Sequence, residues 1–307
     1  MSDTIAALRR KIEGAGNLRS VVRTMKAMAA SNIGQYEKSV LALADYYRAV
    51  ELGLSTCFRE SGPAFMDESR KKEGPEGAPG AVVFGSDQGL VGRFNDNVVD
   101  YALKKLASMP SEPKVWAVGE RVHTRLEDAK LHPEGLFSLP NSVRAISPLV
   151  GKILIESEAY YSRGEITGLY LFYNRPVPGG AIYEPAIQRL LPLDENWQRK
   201  LAGIPWPAEN LPEVMGADTE VLRTLIREYL FVSIFRACAE SLAGENGSRL
   251  AAMQRAEKNI DELVTDLGGR FHRLRQSNID EELFDVISGF EALASKKKYR
   301  TLFYGSE

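Results

Sequence analysis

Proline is missing from both ends of this 307-residue chain: all fifteen fall between Pro63 and Pro212. Because an interior proline costs a helix about 3 kcal/mol, residues 1–62 and 213–307 are free to form long helices, and the middle must be a different kind of structure. Cysteine is scarcer still. Cys57 and Cys238 lie far apart, each in an apolar-periodic segment, and are expected as reduced, buried thiols, neither a disulfide nor a metal pair. That suits a reducing, cytosol-like compartment. The three histidines, His123, His132 and His272, form no H-E-x-x-H, and no C-x-x-C exists, so a transition-metal site is not expected. A G-x-S-x-G elbow is absent, which removes the commonest setting of a nucleophilic serine. No apolar run reaches the roughly 18 residues that cross a bilayer, and the opening MSDTIAALRRKIEG lacks the apolar stretch of a signal peptide. With a net charge of -2 there is no basic excess to hold nucleic acid.

What the ends do have is periodicity. Apolar or small residues recur at Ile5, Leu8, Ile12, Ala15, Leu18, Val22, Met25, Ala29, Ile33 and Tyr36 and continue to Leu54. The steps of three and four average about 3.5, the period of a coiled coil. Such a helix runs about 80 Å at 1.5 Å per residue and needs a partner along its length. A second stripe, from Leu222 through Tyr229, Leu242, Met253, Ile260, Leu267, Leu274, Ile279, Leu283, Val286 and Phe290 to Leu293, supplies one. It is interrupted by GENG (244–247) and LGGR (267–270), where a bend or a close backbone approach is expected.

Between the helices, strands alternate with helices. GAVVFGSDQGLVGRFNDNVVDYALKKLAS reads strand, glycine loop, helix; PKVWAVGERVHTRLEDA reads strand, turn, helix; ISPLVGKILIESEAYYSRGEITGLYLFYNR reads helix then strand; AIYEPAIQRLLPL reads as a further strand. This order implies a mostly parallel sheet with helices on its faces. The expected fold is therefore α/β plus a long antiparallel α-helical coiled coil. Its helices span 1–62 and 213–307, and a Rossmann-like domain, 63–212, is inserted between them. The loop GSDQGLVGRFN holds Gly85, Gly89 and Gly92 but neither P-loop nor dinucleotide spacing, so it reads as a structural turn. Asp87 reads as a turn or helix-start residue in preference to a catalytic acid.

Three stretches together carry a family resemblance. IAALRRKIEGAGNLRSVVRTMKAMAASNI, GSDQGLVGRFN and SLAGENGSRLAAMQRAEKNIDELVTDLGGRFHRLRQSNIDEELFDVISGFEAL are similar, in order, to the signature regions of the gamma subunit of F-type ATP synthase. The resemblance implies a rotor shaft without catalysis or cofactor of its own. It implies alpha and beta subunits of a catalytic hexamer, an epsilon-type subunit and a membrane c-ring as partners, with one copy per complex. The place implied is the membrane periphery on the cytoplasmic face, with ion flux coupled by rotation to ATP synthesis or hydrolysis on the beta subunits.

By the same resemblance, Met25, with Lys26 following it, stands near the beta lever, and Arg275 and Gln276 match a hydrogen-bonding catch on a beta loop. An arginine fork offers several donors in fixed geometry, although an arginine on a helix surface is also an ordinary solvated charge. Asp280 stands where the family often has threonine in that catch. Arg93 and Phe290 also depart from the family pattern, which points to a divergent branch of the alternative type. Methionines around Met25 suit a deformable contact surface, while the alanines beside them suit close helix packing. The segment ASKKKYRTLFYGSE continues past the family's usual end, and a solvated tail is expected there, with Lys296, Lys297, Lys298 and Arg300 outside any apolar bearing. A coiled-coil scaffold without rotation and an α/β enzyme with dimerising arms are the other readings of the same heptads. The block RQSNIDEELFDVISG speaks against the first and the missing phosphate motif against the second.

Overall fold

The computed structural model describes residues 4–61, 77–177, 183–193, 195–208, 210, 212–214 and 218–304, with the side chains of 60, 61, 195, 218, 219 and 292–304 outside that description. In chain order the elements are α1 (Ile5–Ser61), β1 (Ala78–Phe84), α2 (Phe94–Leu106), β2 (Lys114–Val118), α3 (Glu120–Asp128), β3 (Gly135–Phe137), α4 (Val143–Ser162), β4 (Ile166–Pro176), β5 (Tyr183–Leu191), α5 (Glu195–Ala202) and α6 (Asp218–Tyr304). The chain divides into two compact units, Met1–Met25 with Met253–Glu307, and Lys26–Ala252. Both long helices contribute to each.

In the larger unit a five-stranded sheet has the order β3-β2-β1-β4-β5. Three pairings are parallel, and β5 returns antiparallel beside β4. Its central strands are buried on both faces, which explains the unbroken apolar runs AVVF and VWAV. One face packs Val98, Val99 and Ala102 of α2 and Val122 and Leu126 of α3. The other packs Ile146, Val150 and Ile153 of α4 together with Ile234, Cys238 and Leu242 of α6, and Tyr36 of α1 joins them. In this unit α1 and α6 run antiparallel, since Asn32 meets Asn246 while the later Tyr46 meets the earlier Glu228. Beyond them, α5 covers Val50, Leu54 and Cys57 of α1 and Leu222 and Tyr229 of α6. Neither β3 nor α5 was expected, because three residues are too few for a strand period and eight, about two turns, are too few to stand out as a helix between prolines.

In the smaller unit the helices are also antiparallel: Arg19 pairs with Asp261 at 2.7 Å and Arg23 with Glu257 at 2.8 Å. Leu8, Ala15 and Val22 are buried at seven-residue intervals, with Met253 and Leu267 buried on α6. Leu18 does not belong to this seam; it is 59% exposed, and the half-buried Arg19 occupies the turn instead. The sequence stripe misplaces it because a leucine satisfies the step of three from Ala15 as well as an arginine satisfies the step of four. The glycines of GENG and LGGR do not interrupt α6, which is one helix from Asp218 to Tyr304. Gly244 instead marks a close approach, whereas Gly268 and Gly269 face open space. The expected solvated tail also continues as helix through Tyr304, and the side chains of Lys296, Lys297, Lys298 and Arg300 lie outside the described residues.

Candidate functional site

The glycine loop between β1 and α2 is the first place a nucleotide would be sought. Ser86 and Asn95 are bonded to each other within it, while Gln88 and Arg93 are exposed. The Ser86 amide donates to Asn95 Oδ1 at 2.9 Å, Asn95 Nδ2 donates to Ser86 Oγ at 2.9 Å, and Ser86 Oγ donates to the Gln88 carbonyl at 2.9 Å. Asp87 is a helix-start residue, but for a distant helix: Oδ1 accepts from the Glu120 amide at 3.0 Å, at the opening of α3, and Oδ2 from the Leu139 amide at 3.2 Å. A carboxylate there satisfies an orphan donor and complements the helix dipole. Gly85 is required by packing, since a Cβ at that position would lie 2.3 Å from Val122 Cβ. Through Ser86, Asn95 and Asp87 the loop ties β1, α2 and α3 together as a structural joint.

Against this joint lies the middle of α6. Ser248 Oγ donates to the Val91 carbonyl, and Asn32 Nδ2 donates to Asn246 Oδ1 at 3.3 Å. Glu245, 5% exposed in its side chain, is paired with Arg249 at 2.7 Å. Burial pushes the Glu245 carboxyl above its usual range, opposed by Arg249 and reinforced by Asp87. Burial likewise raises the Cys238 thiol, so it is held protonated; Cys57 is also buried, and neither cysteine is in a disulfide. Among the described residues no group of three or more His, Cys, Asp and Glu is placed to hold a metal ion, and no helix is long and apolar enough to cross a membrane.

The surface that stands out is the far end of α6. Every described side chain from Arg275 to Glu291 is exposed, including Ile279, Leu283, Phe284, Val286, Ile287 and Phe290, the last at 76%. Of these, Ile279, Leu283, Val286 and Phe290 were expected inside the paired seam. They lie outside it because α1 begins at Ile5 and, in the pairing set by Arg19–Asp261 and Arg23–Glu257, runs out beside the preceding turns of α6. Arg275, Gln276 and Asp280 are all exposed on this stretch. Gln276 and Asp280 are one turn apart on one face, flanked by Ile279 and Leu283, and Arg275 lies on the adjoining face with Ile279. Arg275 is about 27 Å of helix beyond Glu257. Met25 is half-buried on α1, continuing an outward stripe from Leu18 and Val21, which is 56% exposed. Met25 and the three α6 residues therefore stand at separate levels, and the structure does not bring them together. In the larger unit Lys26 is half-buried and Met28 exposed. Val21, Phe284 and Ile287 were missed in the sequence, although the signal was there: they are apolar residues left over once the 3.5-residue seam is drawn.

The pattern that defines the ATP synthase family matches residues 4–293. The chain belongs to that family. Relatives named ATP synthase gamma chain include one from Polynucleobacter asymbioticus, 26% identical over 93% of this chain and 98% of its own length. Another, from Clavibacter sepedonicus, is 29% identical over 94% of this chain and 97% of its own. In fold the chain is similar to a rotor component of the Euglena gracilis mitochondrial ATP synthase, with a TM-score of 0.61 at 19% identity, covering 90% of this chain and 98% of that one. A chain of the OSCP/F1/c-ring assembly from the same enzyme gives a TM-score of 0.63 at 18% identity, covering 96% of each. Within the family the gamma-type chain is the non-catalytic member of the central stalk, and catalysis belongs to the beta subunits.

Proposed function

We propose that this chain is the rotating shaft of an F-type ATP synthase, coupling ion flux through a membrane c-ring to ATP synthesis or hydrolysis on the beta subunits. One observation carries the reading: α6 extends an exposed apolar surface, Ile279 to Phe290, past the end of its helical partner. Large apolar surfaces are left uncovered in a native chain when another molecule covers them. A sleeve of alternating alpha and beta subunits supplies such a cover for these apolar side chains. In this reading Arg275, Gln276 and Asp280 meet the beta catch loop, and Met25 and Lys26 stand by the beta lever. Residues 63–212 form the α/β domain that, with the lower coil, rests on the c-ring, where an epsilon-type subunit joins it. One copy serves each complex, at the membrane periphery on the cytoplasmic face.

Coexpression with the alpha and beta subunits, followed by native mass spectrometry and observation of a bead fixed to the α/β domain, tests this. A complex of one copy with three alpha and three beta subunits, turning on ATP addition, is expected. Arg275→Ala should slow its turnover while assembly persists. A chain that self-associates and leaves alpha and beta behind would instead establish the scaffold reading.

A further inference from the structure

On the larger unit, away from the glycine joint, α1, the β4–β5 pair and α6 enclose an open groove of about 580 Å³. That volume is within the range of ligand and side-chain pockets. Its floor is apolar, from Val40, Pro176 and Ala243. Its walls carry two ion pairs: Arg236 Nε to Glu240 Oε1 at 2.7 Å, and Arg175 Nε to Glu184 Oε1 at 2.9 Å. Glu240 is the buried end of the first, and it stands close enough to Tyr173 to help burial push that phenol up to about 12. Both guanidinium groups are therefore already matched by carboxylates. At the rim stand two groups that nothing among the described residues answers. Glu37 is exposed and has no ion-pair partner among the described residues, and Leu41, one turn further on the same face of α1, is 71% exposed.

We propose that this groove is a docking site for a segment of another subunit that presents an apolar side chain beside a lysine or arginine. The apolar side chain enters over Val40, Leu41 and Ala243, and the cation meets Glu37. Charge selects this occupant. An acidic segment would face Glu37 with no free guanidinium to receive it, and a wholly apolar one would leave the Glu37 carboxylate partly desolvated without a partner. Rim charges of this kind steer association and choose partners more than they add affinity.

The inference relies on the rotor reading only for the complex in which it is tested. That complex is purified through a tag on this chain carrying a photo-crosslinking benzoylphenylalanine at position 41. The presence of alpha and beta subunits is scored first, and their absence overturns the rotor reading alone. On illumination, one crosslink to one stoichiometric subunit is expected, mapping by mass spectrometry to an apolar residue with a lysine or arginine within one helical turn. Glu37→Lys should reduce its yield about tenfold, the effect of replacing attraction by like-charge repulsion at a rim. The same reagent at Ile155, an exposed residue of α4, should give a yield that Glu37→Lys leaves unchanged. No crosslink at position 41, a crosslink to a second copy of this chain, a target without a basic neighbour, or a yield indifferent to Glu37→Lys would each overturn the proposal.

Discussion

Gly244 of α6 lies against the backbone of Asn174 in β4, so close that a Cβ at position 244 would be 3.2 Å from the Asn174 carbonyl oxygen. Asn174 is itself fully buried and donates from Nδ2 to the Phe94 carbonyl at 2.9 Å, so neither strand nor loop can easily retreat. Gly244→Val should therefore destabilise the protein by about 1–3 kcal/mol, the usual cost of overpacking a filled core. Gly268→Ala and Gly269→Ala, which add a methyl group to open space, should each stabilise α6 by up to about 1 kcal/mol through helix propensity. Urea denaturation of the three variants checks the contrast, and equal effects at 244 and 268 would contradict it.

Asp87→Ala removes the acceptor of two amides at once, those of Glu120 and Leu139. The loss should cost about 1–2 kcal/mol, typical of a helix cap. Asp87→Asn keeps an oxygen for only one of the two amides and should fall between them. Hydrogen exchange at the Glu120 and Leu139 amides should quicken in the alanine variant.

Stability should respond to pH through Glu245. Because burial raises its carboxyl in the folded state, the folded protein holds a proton that the unfolded chain releases, and stability falls as pH rises through the ordinary carboxylate range toward the raised value. Glu245→Gln should flatten that part of the curve. Arg249→Ala should steepen it, and near neutral pH should cost about 3–5 kcal/mol by leaving a buried carboxylate unpaired. Denaturation midpoints between about pH 4 and about pH 8 measure both slopes.

Without its partners the chain should self-associate through the end of α6. Replacing Phe284 and Phe290, both largely exposed, by lysine should lower light scattering of the isolated chain and leave its thermal unfolding nearly unchanged, because no core contact is lost. An equal drop in unfolding temperature would show that these rings pack within the chain.

The sequence by itself determined the arrangement of helix, α/β insert and helix. Proline exclusion, a 3.5-residue stripe and alternating strand and helix patterns are local signals, written in the order of residues and independent of what folds against them. It also placed Arg275, Gln276 and Asp280 on one helical stretch, through the resemblance of the surrounding block. Tertiary structure alone decided which apolar stripe is seam and which is surface. Leu18 and Ile279 satisfy the period as well as Val22 and Leu267 do, but the ion pairs Arg19–Asp261 and Arg23–Glu257 fix a register in which the first pair lies outside. Asp87 was read as a helix-start residue, yet only the sheet order brings it to the head of α3, more than thirty positions later in the chain. Gly244 and Gly268 look alike in sequence and differ only in what the folded chain sets opposite them. Burial and register are properties of two surfaces in contact, and a pattern within one segment describes only one of them.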